Sequence, residues 1–174
     1  TIRGIVFDGA SEVADAIRID DTVTGAPVVI SGCTVRNYTN RFVYVSLSGK
    51  IESLTIDDCI FIGADNSTTN KAIYASSAHT QVETLSVTNS TFLNFNTGSN
   101  YFFRINCGEE LVLMPVVLID HCTFYNCYDR RGVYLYNAGR STIKNCISAF
   151  SERRDDTKSF TAYGDESIVK NVIS

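Results

Sequence analysis

The sequence predicts an all-β fold, a parallel β-helix solenoid with three strands per rung and about six to seven rungs. Three observations carry this. A short grammar (apolar residue, spacer, turn-former, small apolar residue or Cys, spacer, apolar residue) recurs seven times in 174 residues, opening at Ile2, Ile30, Ile56, Val87, Ile119, Ile143 and Val169. Its turn-formers are Gly4, Gly32, Asp58, Asn89, His121, Asn145 and Asn171, so the spacings are 28, 26, 31, 32, 24 and 26 residues. Lastly, no window of useful length has helical period, and two-residue Asn-Gly or Asp-Gly hairpin turns between strands are missing.

Each repeat holds three strand-length pieces. The first follows the turn-former, at Cys33 to Val35, Cys59 to Ile62, Ser90 to Leu93 and Cys122 to Tyr125. After a loop of variable length comes the second, the clearest alternation in the chain: Ala16 to Asp20, Phe42 to Ser46, Ala72 to Ser76, Phe102 to Asn106, Gly132 to Tyr136 and Ser159 to Tyr163. Period two puts one face inward and one outward. The third runs into the next turn-former, at Val28 to Ile30, Leu54 to Ile56, Leu85 to Val87, Val116 to Ile119 and Thr142 to Ile143. Gly, Asn and Asp at the turn suit a residue in left-handed αL geometry, a region that His also tolerates better than most residues.

Ten Phe and nine Tyr, with no Trp and two Pro, lean towards β structure. A net charge of −4 and a pI near 5.1 disfavour nucleic acid, which selects a basic surface. No apolar run approaches the roughly 18 residues of a membrane span. Residues 1–174 read as a single domain; the chain stops inside a repeat at Ser174, which suggests excision from a longer chain with further domains. Four of the six cysteines, Cys33, Cys59, Cys122 and Cys146, share one repeat position. In-register side chains point in parallel, so an inward stack of free thiols is expected; Cys107 and Cys127 fall elsewhere and suggest no pairing.

The turn, with its ladder of Asn-like residues beside a Cys or Ser stack, resembles the right-handed parallel β-helix of the pectin-lyase-like superfamily, and the resemblance covers the whole chain. The wording Thr123-Phe124-Tyr125-Asn126 is similar to uncharacterised β-helix domains of secreted bacterial polysaccharide-utilisation proteins. That resemblance implies a right-handed coil, an extracellular or cell-surface setting, and polysaccharide lying along the outer face of the second strand.

On that face the outward residues are Arg18 and Asp20, Tyr44 and Ser46, Tyr74 and Ser76, Arg104 and Asn106, Tyr134 and Tyr136, and Thr161 and Tyr163. Tyr44, Tyr74, Arg104 and Tyr134 should form one row at about 4.8 Å per rung. The substrate-contacting set is therefore Tyr44, Tyr74, Arg104, Asn106, Tyr134 and Tyr136, joined by Arg131 from a loop. An aromatic row also stiffens a sheet with no ligand present, and that reading stands beside the first.

Arg36, Arg41, Lys71, Arg130, Arg131, Arg153, Arg154 and Lys158 cluster in the segments before the second strand, a basic rim for an acidic sugar, although Asp65, Asp129, Asp155 and Asp156 there offset it.

A uronate lyase needs a base and a group that neutralises the carboxylate, and Lys71 with Arg104 is the best pair. Ca²⁺ enters only under that alternative, with Asn106, Glu109 and Glu110 as oxygen ligands. Otherwise no cofactor or metal is expected. A hydrolase needs opposed carboxylates. Asp57 and Asp58 lie at the turn, away from the second strand. His79 and His121 have no ligand-spaced neighbours.

The function expected is a polysaccharide-interacting domain without catalysis of its own. The alternatives are a uronic-acid polysaccharide lyase and a structural spacer or adhesion module.

Overall fold

The computed structural model describes residues 1–46, 50–63, 70–77, 81–95, 101–107, 116–127, 133–136, 140–149, 160–163 and 166–173, of which 76–77, 81, 106–107, 136, 160–163 and 166–167 are described by backbone alone. All seven turn-formers hold positive φ, from 51° at Asn89 to 63° at Gly4. Gly reaches this region without steric cost and Asn, Asp and His with little, so one left-handed residue per repeat turns the chain from the third strand into the next first strand. His121 conforms, at φ 53°.

Between these turns the chain lays down three parallel sheets. The third strands form one, in the order Ile2–Arg3, Val28–Ser31, Lys50–Asp57, Gln81–Thr88, Val116–Asp120, Arg140–Lys144 and Glu166–Lys170, with Thr22–Val23 pairing beside Lys50–Asp57. The first strands form another, of Val6–Asp8, Thr34–Arg36, Ile60–Ile62, Thr91–Leu93, Thr123–Tyr125 and Ile147–Ala149. The second strands, Asp15–Ile19, Arg41–Val45, Lys71–Ser77, Phe103–Cys107, Val133–Tyr136 and Phe160–Tyr163, make the last. Among the described residues there is no helix, and so none long and apolar enough to cross a membrane. Strand limits differ from expectation by a residue or two, except that the third strand starts early, at Lys50 and Gln81.

Inward residues stack rung on rung. Ile30, Ile56, Val87, Ile119 and Ile143 are in register and wholly buried. Phe61, Phe92 and Phe124 stack with ring centroids 5.0 Å apart and planes within 10° of parallel. Because each rung touches only its neighbours, the core is a set of one-dimensional columns.

The expected thiol column is present. Cys33, Cys59, Cys122 and Cys146 are buried and unbridged, and Ser90 takes the same place on the intervening rung. Each of the four thiols donates to the carbonyl two residues back, from 3.1 Å at Cys146 to 3.5 Å at Cys122. Burial pushes the Cys59 thiol up to about 11, and the hydrogen bond with Cys146, together with burial, raises Cys122. The thiolate is the reactive form. Because all five are buried, alkylation with iodoacetamide at about pH 8 is expected to miss Cys33, Cys59, Cys122, Cys127 and Cys146 in the native protein and to reach all five in urea, as read by peptide mass spectrometry; native labelling at any of them contradicts the column.

A second left-handed corner, absent from the sequence reading, follows the first strand. Asn37, Asn94 and Asn126 have φ of 59°, 58° and 52°, and each precedes a buried side chain: Tyr38, Phe95 and Cys127. Asn126 Nδ2 donates to Asn94 Oδ1 at 2.8 Å. This corner gives Cys127 its place, where burial pushes its thiol up to about 12.

The turn ladder is pinned by carboxylates. Asp57 accepts from the Thr88 hydroxyl and from Asn89 Nδ2 (2.9 Å). Asp120 accepts from Asn145 Nδ2 (2.9 Å), and His121 Nδ1 lies 2.7 Å from it. The Thr88 and Asn89 hydrogen bonds hold Asp57 below its ordinary 3.8; burial alone would raise Asp120, but Asn145, Lys144 and His121 take it lower. A depressed folded value means stability that is present above the unfolded pKa and lost as pH falls through the folded one. The urea midpoint should thus hold from neutral pH to about pH 4 and then fall, and Asp57→Asn should flatten part of that fall. An unchanged acid limb in Asp57→Asn would contradict the role given to Asp57.

Candidate functional site

The second-strand sheet sets out its outer residues by register. Arg18 pairs with Tyr44, Tyr44 with Tyr74, Tyr74 with Arg104, Arg104 with Tyr134, and Tyr134 with Thr161. The expected row therefore exists. Ile17, Val43, Ile73, Phe103 and Val133 alternate with it and are buried. Alternation breaks where the strand begins: Phe42, Ala72 and Phe102, which share parity with the Tyr row, are buried too. Phe42 there packs against Tyr38 and Phe95 from the second Asn corner.

The row is not uniformly open. The Arg41 guanidinium lies 3.5 Å from the Tyr44 ring centroid and that of Arg18 5.3 Å, leaving Tyr44 9% exposed. Tyr134 stacks on Tyr101 at 4.9 Å and 22° and is 7% exposed. A sugar ring therefore cannot lie flat on Tyr44 or Tyr134 as they stand. Tyr74 and Arg104 are half-buried.

The charges divide along the axis. Towards the N-terminal end three cations on or near this face are paired: Arg18 Nε with Asp20 at 2.8 Å, Arg41 with both oxygens of Asp15 at 2.8 Å, and Arg36 with Asp8 at 2.9 Å. Hydrogen bonds from Arg18 and then Ser46 hold the Asp20 carboxyl below its ordinary value. The basic rim expected at Arg36 and Arg41 is thus turned to internal pairs.

Arg104 differs. Its guanidinium lies 4.5 Å from the Tyr101 ring centroid, 5.8 Å from Tyr74 and 6.0 Å from Tyr134, and it donates to the Tyr74 hydroxyl at 3.4 Å. Among the described residues no carboxylate lies within ion-pair distance of it, and its buried Nε has no hydrogen-bond partner. Lys71 Nζ approaches the same Tyr74 ring from its own strand, at 5.4 Å. Asn70, immediately before Lys71, is wholly buried with neither amide atom hydrogen-bonded. Buried polar atoms without partners are uncommon and call for an explanation. Arg104 supplies one such atom on this face, and Asn70, next to the strand that carries Tyr74, holds two more.

Of the other expected contacts, Asn106 and Tyr136 pair in register but are described by backbone alone. Arg131 lies outside the described residues, as do Arg130, Arg153, Arg154, Lys158, Asp65, Asp129, Asp155, Asp156, Glu109, Glu110 and His79. Among the described residues no three of His, Cys, Asp and Glu gather as a metal site would require.

Tyr101 was not expected here. The register that sets Lys71 beside Arg41 and Ile73 beside Phe103 gives Tyr101 the rung position of those two cations. An aromatic in a place where two other rungs carry a cation was the available signal.

The sequence model of a family described as "Domain of unknown function (DUF4957)" matches residues 1–95. Comparison with curated proteins and with solved structures gives no match.

Proposed function

Because the chain belongs to the DUF4957 family, whose description assigns no activity, we propose its function from the site itself: a non-catalytic domain that binds an acidic polysaccharide through the outer face of its second-strand sheet. The observation that carries this is Arg104, a guanidinium among three tyrosine rings with an unpaired buried Nε and no carboxylate partner among the described residues. A uronate carboxylate would supply what it lacks, as a charge-assisted hydrogen bond in a partly desolvated place. The half-buried Tyr74, with Lys71 Nζ 5.4 Å from its ring centroid, would take the adjoining sugar. Within this proposal the scaffold is a right-handed β-helix of pectin-lyase-like kind, the hand that about 98% of parallel crossovers adopt, and it works outside the cell or on its surface.

The convergence of Lys71 and Arg104 on Tyr74 also favours a second reading, a uronate lyase with Lys71 as base and Arg104 neutralising the carboxylate.

One experiment tests both: retention of the domain on polygalacturonate and alginate against neutral glycans, with and without Ca²⁺, while the ultraviolet absorbance of an unsaturated product is followed. Retention without product is expected. Arg104→Ala should weaken it about tenfold to a hundredfold, the worth of a hydrogen bond to a charged group. Failure to bind any acidic glycan, or retention unaffected by Arg104→Ala, overturns the proposal; product formation replaces it with the lyase.

A further inference from the structure

The turn ladder is unfilled at its N-terminal end. The position held by Asp58, Asn89, His121, Asn145 and Asn171 on later rungs is Gly4 and then Gly32. A Cβ on Gly4 would meet nothing within 4 Å, and one on Gly32 only the Gly4 nitrogen at 3.8 Å. Where the side chains are missing, a notch of about 690 Å³ opens beside the outer face of the third-strand sheet, with both glycines in its lining. That volume falls within the roughly 300–1,000 Å³ of small-ligand sites.

The notch differs in chemistry from the Arg104 face. Val29 and Thr55, paired in register, belong to its lining, as do Ser31, Asp57 and Thr88 from the row beside them. Asp57 is engaged by Thr88 and Asn89. Arg3 and Asp58, also in the lining, make no side-chain hydrogen bond or ion pair among the described residues. They stand two rungs apart, roughly 10 Å along the axis at 4.7–4.9 Å per rung. That span suits one sugar ring with a hydrogen bond at each end. Two carboxylates against one guanidinium leave the lining net negative, which disfavours an acidic sugar, and no aromatic residue lines it.

We propose that this notch is a second glycan site, holding one neutral glycosyl unit. Adjacent hydroxyls of the sugar donate to the Asp58 carboxylate, Arg3 donates to hydroxyl oxygens at the other end, and Val29 meets a C–H face of the ring. The site is independent of the acidic-glycan reading, since it lies on a different sheet and uses none of the same residues.

Calorimetric titration with neutral cello-, manno-, xylo- and galacto-oligosaccharides tests it, with two variants that the ladder itself makes safe. Asn holds the required left-handed geometry at Asn89, Asn145 and Asn171, so Gly32→Asn fills the notch and Asp58→Asn removes the carboxylate while both keep the turn. At least one of these neutral sugars should bind the native domain. Each variant should weaken that binding tenfold or more while the circular dichroism spectrum is unchanged, and Arg104→Ala should leave it intact. Absence of binding across the panel, binding that survives Asp58→Asn, or loss of binding in Arg104→Ala each overturns the proposal. Should Gly32→Asn fail to fold, Asp58→Asn alone decides.

Discussion

Phe92→Ala is expected to destabilise the domain by about 3–5 kcal/mol, the range for emptying a buried aromatic site. Phe92 is wholly buried, stacked at 5.0 Å on Phe61 from one rung and on Phe124 from the next, and met from the second-strand sheet by the edge of Phe103 at 6.3 Å. Removing the ring deprives both stacked neighbours of a partner, and in-register strands cannot close the gap without breaking their ladders. In a solenoid the loss falls on the coupling between rungs, so the two halves should also unfold less cooperatively. For a chain of this length the loss corresponds to a fall in Tm of about 6–20 °C. Urea and thermal melts measure it, with Phe92→Leu as the conservative control. A loss under about 1 kcal/mol would show that the Phe column is not the central support described above.

Gly63→Ala is expected to cost about 1–3 kcal/mol, the range for overpacking, although the change adds a single methyl at the end of a strand. The cause is space. Gly63 does not have a positive φ; instead a Cβ there would collide with the Asn94 carbonyl and lie 3.2 Å from Phe95 Cα, all backbone of the following rung. Backbone cannot swing aside as a side chain can, and the approach is fixed by Gly63 N–H donating to Leu93 O at 2.8 Å. Gly4→Ala supplies the contrast. Its Cβ would be in open space, so only the left-handed conformation is penalised, by about 1–2 kcal/mol. Equilibrium unfolding of both variants, with cavity-free packing at Gly63 checked by the appearance of altered amide shifts at Asn94 and Phe95, separates the two causes. Wild-type stability in Gly63→Ala would mean that the rungs are free to separate.

The repeat, the three sheets, the register and the left-handed turn were legible because each recurs with the backbone period. A residue such as Asn89 or Gly32 must satisfy its own dihedral angles, and an inward Ile or Cys recurs once per turn whatever lies elsewhere. The second corner was missed although Asn37, Asn94 and Asn126 carry it, since Gly9 and Gly63 share that repeat position without positive φ and break up the wording.

The candidate site was legible only as a row. Alternation told which residues face outward, and the pairing of Tyr44, Tyr74, Arg104 and Tyr134 followed from the period. Which of them stays open did not follow. Arg41 covers Tyr44 and Tyr101 covers Tyr134, while Asp15 and Asp20 occupy the cations of the first rungs and leave Arg104 without such a partner among the described residues. Contacts such as Arg41 to Asp15 and Tyr101 to Tyr134 join residues about one repeat apart. Composition and period place such residues on a face, but side-chain packing between adjacent rungs sets their exposure and charge balance. Backbone geometry within each repeat is enough to specify a solenoid; the accessible chemistry on its surface is specified only once the rungs are stacked.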